Sequence, residues 1–182
     1  TNHAMNKFYH RVLTVITFLF SNISAANAES VWALVTDASE LKAGDQVIIT
    51  ARNYNYAIGT EADPTNNIRL QAILIEKQGK FCAINESVQI FTIQRGDSYF
   101  QFKTDKGYLA TEDHKDMPLG FNTSSSNKYT KWSVSIDITG KATIISNQGR
   151  IRYYISNKGY FKCYTNEGQS HDDVVIYKLT DT

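Results

Sequence analysis

The chain has 182 residues, of which 42% are hydrophobic, with a formal net charge of +1 at pH 7 and two cysteines. That length suits one domain with a workable core, and the near balance of charge excludes a strongly basic surface, so we expect no nucleic-acid partner. The sequence has no Gly-x-Ser-x-Gly, His-Glu-x-x-His or glycine-rich phosphate motif, and we therefore expect a protein that is not an enzyme and uses no cofactor.

The N-terminal residues predict a secretory signal peptide. Met5 is followed by a short basic region, by an apolar run over residues 12–20, and by the small-residue tail Ala26-Asn27-Ala28, which suits signal peptidase. An anchoring helix is the alternative, although the run is shorter than the roughly 20 residues that span a bilayer. We interpret residues 1–4 as a cloning remnant, 5–28 as the signal peptide and 29–182 as a single all-β domain. That domain would be secreted, periplasmic or on the cell surface, with no membrane insertion after cleavage.

The domain opens with one short strand and one helical turn. Trp32-Ala33-Leu34 has the aromatic-small-aliphatic pattern of a strand that we expect to pair near the last one, bringing the termini together. Asp37 to Lys42 predicts a single helical turn, with Asp37 as its cap and Glu40 completing a capping box.

A threefold repeat then runs through the chain. Alternating segments open at Gly44, Gly96 and Gly140, and equivalent positions lie 41 to 52 residues apart. Each continues through three further elements, which begin at Tyr56, Tyr108 and Tyr154 for the first, at Leu70, Leu119 and Phe161 for the second, and at Phe91, Trp132 and Tyr177 for the closing one. We expect the three aligned Tyr residues to be structural repeats that pack the barrel.

This pattern predicts a β-trefoil-like closed barrel of six strands, with three pseudo-repeats of four short strands. An irregular β-barrel or sandwich is the alternative. An extra hairpin is expected around Gln78-Gly79, with residues 73–75 facing 81–83. The core is expected to contain Trp132, Phe91, Tyr177, Ile49, Phe102 and Ile145.

Polar stretches over residues 60–67, 111–117, 122–129 and 165–173 predict exposed loops, where binding function concentrates on a rigid scaffold. Cys82 and Cys163 each lie in an apolar run. In an exported protein they could form a disulfide, but two buried free thiols are equally natural there.

Aromatic residues are the strongest indication of function, because the chain has 11 tyrosines. A sugar ring stacks its flat C–H face on an aromatic plane, while its hydroxyls need amide or carboxylate groups nearby. Tyrosines next to loops meet such groups in two places, around Tyr54 and around Tyr164. The predicted ligand-binding residues are Asn53, Tyr54, Asn55, Tyr153, Tyr160, Tyr164 and Asn166.

Two polar segments hold the two histidines of the predicted domain. His114 and His171 lie among acidic residues that suit a divalent cation, but neither segment has the spacing of a dedicated loop, and we predict no metal site. Ser170-His171-Asp172 is consecutive, whereas a catalytic triad needs groups that converge in space.

The segment from Trp32 to Ile49 resembles the opening of an all-β module that recurs in secreted and surface proteins of Bacteroidota. Later markers of that module include Tyr56-Ala57-Ile58-Gly59-Thr60, Val88 to Ile93, Lys162-Cys163-Tyr164 and Val175 to Leu179. The resemblance covers nearly all of residues 31–179 and implies a location in a Gram-negative envelope or outside the cell. Such modules accompany varied partner domains, so the resemblance names no activity.

Three functional hypotheses follow. The first is a secreted binding module for carbohydrate, lectin-like in its use of aromatic and amide groups. The second is a protein-binding effector, such as a β-trefoil protease inhibitor, whose long polar loops over residues 63–67 or 117–127 would enter a cleft of an extracellular protein. The third is a structural role in an assembly.

Overall fold

The computed structural model describes residues 31–113, 115–157 and 159–180. The predicted cloning remnant, the predicted signal peptide and His114 lie outside these residues. Within them the chain forms strands and two single 3₁₀ turns, Ala38–Glu40 and Lys128–Thr130. The strands are β1 Trp32–Leu34, β2 Gln46–Ala51, β3 Tyr56–Asp63, β4 Asn66–Leu74, β5 Glu76–Gln78, β6 Phe81–Ala83, β7 Phe91–Arg95, β8 Phe100–Thr104, β9 Gly107–Ala110, β10 Gly120–Asn122, β11 Ser133–Ile136, β12 Lys141–Ser146, β13 Gly149–Tyr154, β14 Tyr160–Tyr164, β15 His171–Asp172 and β16 Val174–Leu179.

The sheet closes on itself. Strand β2 pairs with both β3 and β16, and the ladder from β3 through β4, β14, β13 and β12 leads back to β16. The ring therefore has seven strands and not the expected six, because the pairing of Tyr160 with Gln71 and of Phe161 with Leu70 joins two hairpins into the wall. Closure removes sticky edges from an all-β chain, and the all-β expectation is confirmed.

Three units of four strands make up this β-trefoil-like barrel. Each has an opening strand, a hairpin and a closing strand: β2, β3, β4 and β7 in unit 1; β8, β9, β10 and β11 in unit 2; β12, β13, β14 and β16 in unit 3. In each unit the opening strand pairs with the closing segment, through Val47 with Phe91, Phe100 with Trp132, and Ala142 with Val174.

The register of the ladders identifies equivalent residues. Thr50 pairs with Ala57, Lys103 with Tyr108, and Ile145 with Arg150. The next residue along each of these strands, away from the turn, is buried and apolar. These six side chains are at most 1% exposed: Ile49 and Ile58, Phe102 and Leu109, Ile144 and Ile151. The core thus repeats three times around the barrel.

The same register corrects the alignment of the tyrosines. Tyr108 occupies the position of Ala57 and Arg150, so Tyr56, Tyr108 and Tyr154 are not equivalent residues. The sequence pattern misaligned them because Tyr56 and Tyr108 stand at the start of their hairpin strands, whereas Tyr154 is the last residue of β13.

The first strand and the helical turn form largely as expected. Strand β1 pairs with β16, with Trp32 opposite Leu179, which confirms that the two ends of the domain meet. Asp37 caps the 3₁₀ turn, but its Oδ1 accepts from the Ser39 N–H, while the Glu40 N–H donates to the Asp37 carbonyl. The predicted capping box is therefore wrong, because the Asp37 side chain accepts from Ser39 and not from the N–H of Glu40.

The extra hairpin is also present, with one shift. Strand β6 pairs with β5, residues 76–78, and not with residues 73–75, because Ile73 and Leu74 belong to β4 and pair there with Ala57 and Tyr56.

Two clusters of buried side chains form the core. Of the six predicted core residues, Trp132, Phe91, Ile49 and Phe102 lie in the larger cluster and Tyr177 in the smaller. Ile145 is only half-buried, because its neighbours Ile144 and Ser146 point inward on the alternating strand.

Both cysteines are buried free thiols. Cys163 belongs to the larger cluster and Cys82 to the smaller one, and burial raises the pKa of each thiol to about 12. No helix within the described residues is long and apolar enough to cross a membrane.

Candidate functional site

A cleft of about 510 Å³ lies between the β3–β4 hairpin of unit 1 and the connection from β13 to β14 in unit 3. We call it cleft A. Its lining combines an aromatic ring, an ion pair and two amides, held on the β3–β4 hairpin and on the connection from β13 to β14. The lining residues are Tyr56, Asp63, Pro64, Thr65, Arg69, Gln71, Ala72, Asn157 and Gly159.

An ion pair fixes one side of cleft A. Arg69 Nε donates to Asp63 Oδ2 at 2.7 Å, and Asp63 Oδ1 accepts from the Thr65 N–H and Oγ1 at 2.9 and 2.8 Å. Burial acts to raise the pKa of Asp63, but the hydrogen bonds from Thr65 and Arg69 outweigh it and lower the pKa below its usual value. The carboxylate is therefore ionised at neutral pH and held in one geometry.

The Arg69 side chain also stacks on an aromatic pair. Its Cζ lies 3.8 Å from the centre of the Tyr160 ring, and Tyr160 stacks on Tyr154 at 4.8 Å with an interplanar angle of 8°. A guanidinium and a ring at these distances cannot share one face, so the two cover opposite faces of Tyr160. The contact restricts the orientation of the guanidinium, and Arg69 is one of the lining residues of cleft A.

Tyr56 forms the aromatic part of the lining. One face of its ring stacks on Tyr153 at 5.6 Å and 16°, while the residue remains half-exposed. Tyr153 is only 1% exposed, and the backbone of Gly159 lies so close that an added Cβ would be 2.2 Å from the Tyr153 hydroxyl. Cleft A thus has a packed floor under an accessible ring.

The predicted residues of the β2–β3 loop lie beside this floor. The Tyr54 ring contacts Tyr153 at 5.5 Å and is 38% exposed. Asn53 donates from its N–H and its Nδ2 to the buried carboxylate of Asp172, at 2.7 and 2.8 Å. Asn55 is exposed, and its carbonyl accepts from the Ile75 N–H. The Asn53 amide therefore clamps the loop and is engaged with the protein.

The other predicted residues divide into three groups. Tyr153 is 1% exposed and belongs to the larger core cluster, and its assignment as a ligand contact stays a prediction. Tyr160 and Tyr164 are half-buried, and their hydroxyls lie 3.4 Å apart. The Tyr164 ring is stacked by His171 at 3.6 Å. Asn166 is exposed beyond the end of β14.

Sequence reasoning missed the residues that define cleft A. Residues 60–67 were expected to form a loop, but β3 runs to Asp63 and β4 starts at Asn66. Asp63-Pro64-Thr65 is a turn signal, and reading it as the tip of a hairpin would have placed Arg69 and Gln71 on a strand facing the neighbouring unit.

The acidic segments do not form a metal centre among the described residues, where no group of three or more His, Cys, Asp or Glu side chains could hold an ion. His171 stacks on Tyr164 while Asp172 faces Asn53. These neighbours on β15 point to different surroundings, as alternation along a strand requires.

No family model matches the chain, and no curated protein does. Solved structures do match. A salivary protein from Culex quiquefasciatus of the Cysteine and Tryptophan-Rich family is 16% identical, with a TM-score of 0.54, over 80% of this chain and 98% of that one. ThreeFoil, a designed 3-fold symmetric protein, is 14% identical, with a TM-score of 0.50, over 75% and 99%.

A third match is to the Polyporus squamosus lectin bound to a sialylated trisaccharide epitope, Neu5Aca2-6Galb1-4GlcNAc. It is 10% identical, with a TM-score of 0.52, over 74% of this chain and 49% of that one, so the chain spans about half of the lectin. At these identities the likeness concerns the fold, and it agrees with the threefold register described above.

Proposed function

We propose that the protein is a secreted, non-catalytic binding module that holds a saccharide in cleft A. The observation that carries the proposal is the lining itself: the accessible ring of Tyr56 faces the same cavity as the Asp63–Arg69 pair and the amides of Gln71 and Asn157. Sugar recognition needs an aromatic face for the C–H surface and fixed donors and acceptors for the hydroxyls.

The groups of cleft A supply both kinds of hydrogen bond. An ionised carboxylate accepts, a guanidinium donates, and each amide side chain does both. The ion pair and the Arg69–Tyr160 stack fix the charged groups before a ligand arrives, which reduces the ordering cost of binding. A lectin among the solved structures of similar fold adds support for a glycan as the partner.

The protease-inhibitor hypothesis loses the loops that motivated it. Only Pro64 and Thr65 connect β3 to β4, and residues 117–127 are interrupted by β10. Secretion, and an origin among the modules of Bacteroidota, stay proposals supported by the sequence pattern of residues 5–28 and 32–49. N-terminal sequencing of the protein recovered from a culture medium or periplasm would test export, with cleavage after Ala28 expected.

A glycan array with the purified full chain tests the binding function, followed by titration of the strongest hit. Replacing Gln71 with Ala should weaken that hit by roughly 3- to 10-fold, since one hydrogen bond contributes about 0.5–1.5 kcal/mol. The matched control is Gln94→Ala, which changes another half-buried glutamine on β7, outside the cleft. A blank array from a folded protein, or equal effects of the two variants, would contradict the proposal.

A further inference from the structure

A second cleft, of about 300 Å³, lies between the β9–β10 hairpin of unit 2 and the tip of the β3–β4 hairpin of unit 1. We call it cleft B. Its lining residues are Asn67, Ile68, Ala110, Thr111, Glu112, Pro118, Leu119, Gly120, Phe121 and Asn122. None of the residues that define the proposed saccharide site in cleft A belongs to it.

The strand register shows that the two clefts are related by the threefold repeat. Ile58 pairs with Ala72, Leu109 with Phe121, and Ile151 with Cys163. Arg69, Gln71 and Ala72 of cleft A therefore occupy the positions that Pro118, Gly120 and Phe121 occupy in cleft B.

The opposite walls correspond as well. Gly159 lies two residues before the buried Phe161, and Ile68 lies two residues before the buried Leu70, its counterpart in unit 1. Cleft A thus combines the hairpin of unit 1 with the tip of unit 3, and cleft B combines the hairpin of unit 2 with the tip of unit 1. The two clefts therefore lie at equivalent positions of the threefold repeat.

Gly120 is the residue that opens cleft B. A Cβ added there would have no atom within 4 Å, so space lies above the backbone where unit 1 carries Gln71 and unit 3 carries Lys162. A glycine in a strand often marks a bulge, a tight bend, or a place where a ligand or another backbone approaches closely. Here the cavity beside it is bounded by the half-buried ring of Phe121 on the next residue.

The polar groups of cleft B differ from those of cleft A. Asn67 is exposed on one wall. On the other wall the Asn122 side chain is fixed, because its Oδ1 accepts from the Ser124 N–H at 2.9 Å. The Nδ2 group on the other side of that amide is then the group that can donate to a ligand. No Lys or Arg side chain, and no His, is among the described residues that line the cavity. The lining therefore offers two amides, the Thr111 hydroxyl and the Glu112 carboxylate beside the half-buried Phe121, without the guanidinium that cleft A presents.

We propose that cleft B is a second saccharide site, which takes a neutral hexose unit and excludes acidic sugars. The sugar would lie in the open space over Gly120, with its hydroxyls bonded to the Asn67 and Asn122 amides. The proposal shares with the proposed function only the class of ligand; it does not require cleft A to bind. Two sites on one domain would strengthen attachment to a polymeric glycan through effective concentration.

The test is a titration of the isotope-labelled full chain followed by amide NMR shifts. The probes are the methyl glycosides of glucose, galactose, mannose and N-acetylglucosamine, with methyl glucuronide as the acidic member. At least one neutral probe should shift the amides of Asn67, Ile68 and Phe121, and methyl glucuronide should not. Gly120→Gln, which installs the unit 1 side chain in open space, should weaken that binding at least 10-fold and leave shifts at Gln71 and Gly159 unchanged.

Each outcome decides between the two sites. Shifts confined to the residues of cleft A would support the proposed function and overturn the second site. Shifts confined to cleft B, and abolished by Gly120→Gln, would support the second site and contradict the assignment of cleft A. Shifts around cleft B that survive Gly120→Gln, or no shifts at either cleft with any probe, would overturn the second site. Gly120→Ala, which adds only a methyl group, should weaken binding less than Gly120→Gln and so separates filling of the cleft from loss of backbone freedom.

Discussion

Clefts A and B occupy the same position in two units of one barrel, yet they present different chemistry. In cleft A strand β4 carries Arg69 and Gln71. In cleft B the matching places are held by Pro118, which precedes β10, and by Gly120, its first residue. The backbone and its buried residues are repeated, since Leu70 and Leu119 are both at most 1% exposed. The difference shows that the repeat fixes where a cavity forms, while the outward-facing residues between the core positions determine what it can bind.

Each cleft contains a glycine, and substitutions at these two glycines should differ most in their effect on stability. At Gly159 an added Cβ would meet the buried ring of Tyr153 at 2.2 to 2.5 Å, whereas at Gly120 it would meet nothing. Gly159→Ala should therefore destabilise the domain by roughly 1–3 kcal/mol through overpacking, and Gly120→Ala should stay within about 0.5 kcal/mol of the unchanged chain. Urea unfolding of both variants measures the contrast, which equal midpoints would refute.

The hydrogen bonds from Asn53 to Asp172, beside cleft A, should give the next largest effect on stability. Asp172 is 6% exposed and accepts two hydrogen bonds from Asn53. Asn53→Ala removes the side-chain donor and leaves one carboxylate oxygen without it, so the free energy of unfolding should fall by about 1–2 kcal/mol.

The neighbouring Asn55 supplies the control for these hydrogen bonds. Asn55→Ala truncates the same side chain at an exposed position, where substitutions usually change stability by less than about 0.5 kcal/mol. Chemical denaturation of the two variants compares them directly. An Asn53→Ala variant as stable as Asn55→Ala would show that the hydrogen bond from the Asn53 side chain contributes nothing, and cleft B should keep its ligand in either variant.

The sequence predicted the repeated core far better than it predicted the clefts. Leu70, Leu119 and Phe161 were correctly aligned because buried apolar residues follow the pleat of the strand with a period of two. Tyr56, Tyr108 and Tyr154 were misaligned because their spacing from the opening strands differs between units, and only the hydrogen-bonded register reveals it.

The clefts depend on contacts between units, which a pattern within one unit does not contain. Asn157 and Gly159 reach cleft A from unit 3, and Asn67 reaches cleft B from unit 1. The burial of Tyr153 was also hidden, because an aromatic next to a loop looks the same in sequence whether its ring points inward or outward. Closure of the seven-strand ring places these tips, and closure is a property of the whole chain.

A substitution at Arg69 tests whether the guanidinium of cleft A accounts for the difference in ligand binding between the two clefts. Lysine keeps the charge but loses the planar fork that bonds Asp63 and stacks on Tyr160. Arg69→Lys should weaken binding at cleft A by roughly 3- to 10-fold, which corresponds to the loss of about one hydrogen bond, and leave cleft B unchanged. Arg95→Lys is the matched control, since Arg95 also stacks on a ring, that of Phe100 at 4.2 Å, away from both clefts. Isothermal titration with the strongest array hit measures each variant, and equal losses in the two would contradict a specific role for Arg69.

The smallest effect on stability is expected in unit 3. There, Tyr160 and Lys162 occupy the positions that Arg69 and Gln71 hold in unit 1. His171 stacks on Tyr164 there, and its burial, together with the positive charges of Arg152 and Lys162, lowers the pKa of His171 below 6.5. The unfolded chain therefore takes up this proton at a higher pH than the folded chain does. The neutral stack is fully stable above about pH 6.5, and stability falls as the pH drops from there through the folded pKa. A His171→Phe variant keeps a ring on Tyr164 but cannot titrate, so the difference in melting temperature between it and the unchanged chain should grow as the pH falls from 7 to 5. A difference that stays constant over that range would show that His171 is not protonated at a cost to the fold.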